Sequence, residues 1–337
     1  MTFDLSKLPK PSIHTNVTKV EFEHELKPMG MPFVIQDFAS NWEPVKAANN
    51  QQNMHSYLKS CASVLSKPMS LSRIPTTENS RMFYNQDMTA MNFGVAELPL
   101  EKGLERMLTD TQEADYAAQC VPIEQYFDKL LPQIDNPLVE NTLTPFIWFG
   151  NKVVVAPHFD ESDNIAVVVA GKRRFTLFPP QQTENLYIGP LEFTPAGQPI
   201  SLVNILEPDL TQHPKYASAY EHALSIELAP GDAIYIPTPW WHHVQSLSSF
   251  NILVNYWWND SDLGTAKPLA AILHAMQAFR HLPKAQQKAF ASMLQYYAFD
   301  DPKKSHEHIP KHAKGWLDEA NDKTRLELEH FIRVFSK

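Results

Sequence analysis

Hydrophobic and polar positions change rhythm twice along this chain. Up to about residue 139 the pattern is mixed. TKVEFEHELK (18–27) predicts a short helix opened by Thr18, with Glu21 three residues on as in a capping box. MPFVIQDF (31–38) reads as a short apolar strand, 42–66 as a stretch holding a helix, and RMFYNQDM (81–88) as a strand. ELPLEKGLERMLTD (97–110) predicts a helix with Leu100, Leu104 and Met107 on one face, and IEQYFDKLLPQI (123–134) another, stopped by Pro132.

From residue 146 the runs become β-rich: FIWFGNKVVVAPHFD, NIAVVVAGKRRFTLFPP, ALSIELAPGDAIYIP and FNILVNYWW. Gly150, Pro157, Gly171, Pro179, Pro230, Gly231 and Pro237 punctuate them, a spacing that predicts a sandwich or barrel. Between them 183–222 carries few regular signals and reads as an insert. After Asp260 the rhythm becomes helical. Leu269, Ile272, Leu273, Met276 and Phe279 form one stripe, Phe290, Met293, Leu294 and Tyr297 a second, and Leu328, Phe331, Ile332 and Phe335 a third. Such stripes are expected to be ordinary core. The predicted organisation is a mixed α/β region (1–139) packing on a β core (140–260), followed by helices (261–337).

Composition narrows the function classes. Hydrophobic residues at 43% and charged residues at 20% are ordinary for a soluble globular chain. The net charge of −9 disfavours a nucleic-acid partner, and Lys172-Arg173-Arg174 is the one compact basic cluster near the motifs. A protein, peptide or small-molecule substrate fits better. Two cysteines, Cys61 and Cys120, give neither a disulfide framework nor a thiolate zinc site, which suits a cytoplasmic location. No signal peptide is expected at the N-terminus, and the apolar run Ile165–Ala170 is far too short to span a membrane.

Candidate chemistry lies in the β-rich part. APHFD sets His158 and Asp160 two residues apart, so on a strand both project from one face while Phe159 packs on the other. With a histidine from a distant strand they would form a facial two-histidine, one-carboxylate set, which suits Fe(II) and leaves positions open. HxD alone is weak; a hydrogen-bonded His–Asp surface pair is the bland alternative. PTPWWHHVQSL (237–247) supplies adjacent histidines, His242 and His243. Adjacent strand residues face opposite sides, so at most one can join His158 and Asp160. Its tryptophans would wall the cavity, or else the segment is a buried aromatic cluster with satisfied histidines.

The two halves together are more specific than either. PHFDESDNIAVVVAGKRRFTLFPP, LAPGDAIYIPTPWWHHVQSL and NYWW resemble the JmjC/cupin-like Fe(II)- and 2-oxoglutarate-dependent oxygenases. The branch they most resemble contains the asparaginyl hydroxylase that acts on hypoxia-inducible factor. The likeness is strong over about 140–258 and weaker back to MPFVIQDF and FYNQDM. It implies a mostly β fold with α additions, a double-stranded β-helix (cupin or jelly-roll) core. It implies a dioxygenase that hydroxylates a C–H bond with Fe(II), 2-oxoglutarate and O2, releasing succinate and CO2. The first histidine after the two tryptophans is the family's ligand, which makes the metal set His158, Asp160 and His242 and leaves His243 structural.

The resemblance also carries over co-substrate residues. Fifteen residues after His158, where the family usually has lysine, stands Arg173, with Lys172 as the fallback. Arginine can bind a carboxylate bidentately, so the role is preserved in a reshaped pocket. Asn164 and Asn255 match polar residues of that pocket, and Tyr116 in DYAAQ matches a tyrosine that holds the distal carboxylate. Val155 stands where a threonine is frequent, removing one hydrogen bond. Asp232 is expected to serve its turn and Arg174 to point away from Arg173. Helices like the C-terminal ones can form a homodimer in the family. Two rivals remain: a cupin metalloenzyme that does not use 2-oxoglutarate, favoured by Arg173 and Val155, and a non-catalytic binding protein on the same fold. The histidine cluster SHEHIPKH (305–312) matches no metal spacing and reads as a solvated loop.

Overall fold

The run Ile165–Ala170 lacks alternation because both of its faces are covered. Ile165, Val167 and Val169 pack into one apolar cluster, Ala166 and Val168 into another. The computed structural model describes residues 3–48, 51–64, 67–259, 267–318 and 321–335, without the side chains of 51, 52 and 335. The expected boundary at 260–261, the end of the 42–66 stretch and the Phe335 side chain fall outside the described residues. The chain divides into two compact units, Met1–Trp258 and Asn259–Lys337.

The first unit is built on β1 (Ser12–Thr15), β2 (Phe33–Gln36), β3 (Met69–Pro75), β4 (Arg81–Met82), β5 (Gly94–Leu98), β6 (Ala114–Pro122) and β7 (Phe146–Gly150). They are followed by β8 (Val154–His158), β9 (Asp163–Ala170), β10 (Arg173–Phe178), β11 (Leu224–Leu228), β12 (Ala233–Ile236), β13 (Trp241–Ser246) and β14 (Asn251–Trp258). The larger sheet has the order β1-β2-β12-β9-β14-β7-β6-β3-β5, and the smaller β11-β10-β13-β8-β4. Strands from both sides of residue 139 therefore enter each sheet. Inner faces of the two sheets meet in a cluster that includes Phe175, Leu177, Val244, Ala166, Val168 and Leu253. This is a cupin-like jelly roll with helical additions. The outer face of the larger sheet is covered by N-terminal residues such as Phe22, Trp42, Leu58, Leu104 and Met107. Part of the insert packs with Phe178 and Trp241 of the smaller sheet, through Leu186, Val203, Ile205 and Tyr216.

Local signals explain many boundaries. Thr18 Oγ1 accepts from Glu21 N–H at 3.2 Å, and the helix it opens runs from Lys19 through a wider turn to Leu26. Leu100–Thr109 is a helix with Leu100, Leu104 and Met107 buried. Two expectations need correction. The 123–134 stretch keeps only a single turn at Ile123–Tyr126 and a tight turn at Leu131–Gln133, because Phe127 breaks the helical backbone and packs inside the core. RMFYNQDM keeps a strand only at Arg81–Met82; Tyr84 then makes a single antiparallel bridge to Met91 across a turn closed by Asn85 and Thr89.

In the second unit, Pro268–Phe279, Lys284–Leu294 and Asp322–Phe335 are helices, as the stripes predict. Their apolar faces are not core. Among the described side chains of this unit only Ser305 is buried, while Ile272, Met293 and Ile332 are 53%, 51% and 48% exposed. Short helices with so little chain around them have too little apolar surface to enclose a core of their own. No helix among the described residues is long and apolar enough to cross a membrane.

Candidate metal and co-substrate site

The site forms on the inner faces of the two sheets. β13 alternates His242, Val244 and Ser246 inward, opposite Leu177, Phe175 and Arg173 of β10. His243 points to the other face, opposite Thr176. Trp240 and Trp241 split in the same way. Trp240 joins the inner cluster and donates its indole N–H to Gly30 O at 3.0 Å; Trp241 joins the outer one and donates to Thr183 Oγ1 at 2.9 Å. Phe159 lies against Trp241 with ring centroids 5.0 Å apart, on the side away from the site.

A β-bulge places the other histidine. Val155 pairs with Val244, so regular pairing would set Pro157 opposite His242; instead His158 stands there. The extra residue turns His158 onto the inner face, which plain alternation from Val155 would deny it. The two imidazole centroids are then 4.2 Å apart. His158, Asp160 and His242 each bring a ligand atom within 4.8 Å of the others, and among the described residues no other such group of three forms.

Hydrogen bonds set which nitrogen faces the centre. His158 Nδ1 lies 3.0 Å from Ala156 O, and His242 Nδ1 lies 3.1 Å from Trp240 O. A carbonyl only accepts, so each Nδ1 carries the proton and each Nε2 keeps its lone pair for the centre. Burial, reinforced by His158, pushes the His242 pKa down to about 4, so this imidazole is neutral at neutral pH. Asp160 is oriented from behind. Its Oδ2 accepts from Trp257 Nε1 at 3.0 Å and from Asn164 Nδ2 at 3.3 Å, and its main-chain carbonyl accepts from Thr238 Oγ1 at 2.7 Å. Asn255 Nδ2 in turn donates to Asn164 Oδ1 at 2.9 Å. Two imidazoles held through their Nδ1 atoms and a braced carboxylate form a donor set that fits Fe(II). Trp257→Phe keeps the ring and loses the N–H to Asp160. We expect it to weaken divalent metal binding by about 10- to 100-fold, read by competition with a chelating dye.

Arg173 lies on the same inner face, paired with Ser246. At about 3.3 Å per residue, that register is roughly 13 Å along β13 from His242. It is 8% exposed, and its Nε has no partner. No described carboxylate lies within ion-pair distance of its guanidinium, and burial lowers its pKa to about 10, leaving it a cation. Arg174, by contrast, points outward to Glu227 and Gln245. Asp232 closes its turn by accepting from Asp37 N–H and Ala229 N–H. His306 Nδ1, in the C-terminal histidine cluster, lies 2.9 Å from Lys314 Nζ.

The structure thus brings His158, Asp160, His242, Asn164 and Asn255 together, with Arg173 further along the same face. It does not bring Tyr116 there. Tyr116 packs in the outer core of the larger sheet and gives its hydroxyl to Asp110. Its neighbour Ala117 and Gln119 alternate onto the cavity beside Arg173. A profile of the cupin-like domain family matches residues 19–263. The chain belongs to the JmjC/cupin-like oxygenase family. Family relatives include HSPB1-associated protein 1 of Homo sapiens, 32% identical over 113 residues, 33% of this chain and 22% of that protein. Lysine-specific demethylase JMJ31 of Arabidopsis thaliana is 24% identical over 73% of this chain and 49% of its own length. tRNA wybutosine-synthesizing protein 5 of Mus musculus is 29% identical over 41% of this chain and 45% of its own. The chain spans less than half the length of each of these relatives. Within the family site, sequence reasoning missed Trp257, although it follows Asn255 by two on one strand and so shares its face.

Proposed function

We propose that this protein is an Fe(II)- and 2-oxoglutarate-dependent oxygenase that hydroxylates a C–H bond of a protein, peptide or small molecule, releasing succinate and CO2. The observation that carries this reading is Arg173. A buried guanidinium without a carboxylate is costly, and it becomes favourable when a ligand supplies the anion. It shares the inner face with the metal set, on the strand paired with the one that carries His242. Val155 and Ala117 offer no hydroxyl there, Ser246 and Gln119 are neutral, and Arg173 brings the only charge among the residues that line the cavity.

In this reading His158, Asp160 and His242 would hold the Fe(II), which would supply a centre able to take up co-substrate and oxygen. The iron, when bound, supplies the redox chemistry that couples decarboxylation of the oxo acid to hydroxylation. The chain supplies position and dryness. Trp257 and Asn164 fix the carboxylate of Asp160, the two main-chain carbonyls fix the imidazoles, and the inner apolar cluster excludes water. The test is succinate formation by protein loaded anaerobically with Fe(II), given 2-oxoglutarate and ascorbate, and then exposed to air. Slow succinate release without added substrate is expected. Absence of succinate together with absence of 2-oxoglutarate binding would overturn the reading.

The overall charge of −9 supports a protein, peptide or small-molecule substrate over an RNA. For the C-terminal unit we infer a homodimer. Helices with one buried side chain among those described need a permanent cover, and a second copy is always present at matching concentration. Leu328→Glu combined with Phe331→Glu removes apolar contact twice in a two-fold interface, several kcal/mol in all. Light scattering should report a dimer for the wild type and a monomer for the double variant.

A further inference from the structure

Beside Arg173 lies a narrow cavity whose walls include Ala117, Val155 and Val244. Trp148 of β7 lines it too, on the inner-facing side of that strand, while its neighbours Ile147 and Phe149 pack in the outer core. The Trp148 Nε1 atom is buried and has no hydrogen-bond partner. An indole nitrogen is a donor only, and a buried one normally finds an acceptor. Elsewhere in this protein the pattern holds: Trp42, Trp240, Trp241 and Trp257 each give the indole N–H to an oxygen.

One cavity therefore holds two donor-only groups that lack acceptors, the neutral indole of Trp148 and the cationic guanidinium of Arg173. A water molecule could satisfy the indole but not the charge. A carboxylate meets both needs, with two oxygens and one negative charge. Resting on the function proposed above, the geometry points to Trp148 Nε1–H as a second anchor for the co-substrate's distal carboxylate, alongside Arg173. It takes over the polar contact that Val155 cannot make. A ligand lacking that carboxylate would leave both donors buried and unpaired, so the pair also selects a dicarboxylic oxo acid over a monocarboxylic one.

The test compares 2-oxoglutarate with 2-oxobutanoate, which keeps the chelating end and lacks the distal carboxylate. Binding is measured by calorimetry on full-length protein loaded with Zn(II), so no turnover intervenes. Trp148→Phe keeps the ring and loses the donor. We expect it to weaken 2-oxoglutarate about tenfold or more and to leave 2-oxobutanoate unchanged. Equal losses for both ligands would mean that Trp148 only packs, and no loss for either would mean that it is idle; each outcome overturns the inference. Wild-type protein that binds no 2-oxoglutarate would remove the underlying reading, and this inference with it. Should the variant not fold, the wild-type chain still decides. Of the indole N–H resonances of its seven tryptophans, one should shift with 2-oxoglutarate and not with 2-oxobutanoate. A set in which none discriminates contradicts the proposal.

Discussion

His242→Ala leaves a folded protein that no longer holds Fe(II) at one equivalent and forms no succinate, while His243→Ala keeps both properties. The two residues are neighbours with opposite environments. His242 faces His158 and Asp160 across the bulge, with Nε2 aimed at the centre; His243 is buried on the other face, opposite Thr176. Losing a ligand should weaken metal binding by more than the roughly 10- to 100-fold that loss of an outer partner costs. For His243 the effect is on stability. Burial pushes its pKa down to about 3, so it is neutral, and its Nδ1 has no partner. Truncation there removes packing and one unsatisfied polar atom together, with a net change of no more than about 3 kcal/mol. Metal content after dialysis separates the two variants. Retention of iron by His242→Ala, with loss in His243→Ala, would reverse the assignment.

Arg173→Met has the second large effect, and it works in two directions. Removing one partner of a buried charged pair costs about 3–5 kcal/mol, so affinity for 2-oxoglutarate should fall at least about a hundredfold. The ligand-free protein should behave differently. Its Arg173 is an unpaired buried cation, and an apolar side chain of similar length removes that penalty. The variant should therefore melt at or above the wild-type temperature without ligand and gain nothing when 2-oxoglutarate is added. An arginine with a merely structural role would give the opposite pattern, a destabilised variant that still responds to the ligand. Calorimetry with and without 2-oxoglutarate checks both halves.

The β-rich half of the chain was legible because its signals are local. Alternation assigned His242 and His243 to opposite faces, and Gly and Pro punctuation located the turns. The bulge that brings His158 to His242 was not read from the sequence, although Pro157 in VVVAPHFD, a residue strands tolerate at edges and bulges, lies within it. The N-terminal strands were largely missed. β6, ADYAAQCVP, is rich in alanine, a weak strand former, and owes its conformation to pairing with β3 and β7. Without that strand in place, the side of it that meets the cavity could not be read, and Tyr116 was assigned where Ala117 and Gln119 face inward. The C-terminal stripes identified helices correctly but not their surroundings. Periodicity shows which face is apolar; it does not show whether the chain itself covers that face.

The distances also rank the contributions. The ligand set and its braces depend on short, directional contacts, so single-atom changes such as Trp257→Phe should be felt in metal affinity. Arg173 acts through charge in a buried setting, where loss of the partner matters more than fine geometry.

The measurement that reaches the central claim most directly is the visible absorption of anaerobic protein loaded with Fe(II) and titrated with 2-oxoglutarate. Chelation of a 2-oxo acid to Fe(II) produces a broad charge-transfer band. The account predicts a band that saturates at one 2-oxoglutarate per chain, needs a much higher concentration in Arg173→Met, and is missing in His242→Ala. Iron bound at one equivalent with no band at saturating 2-oxoglutarate would contradict it.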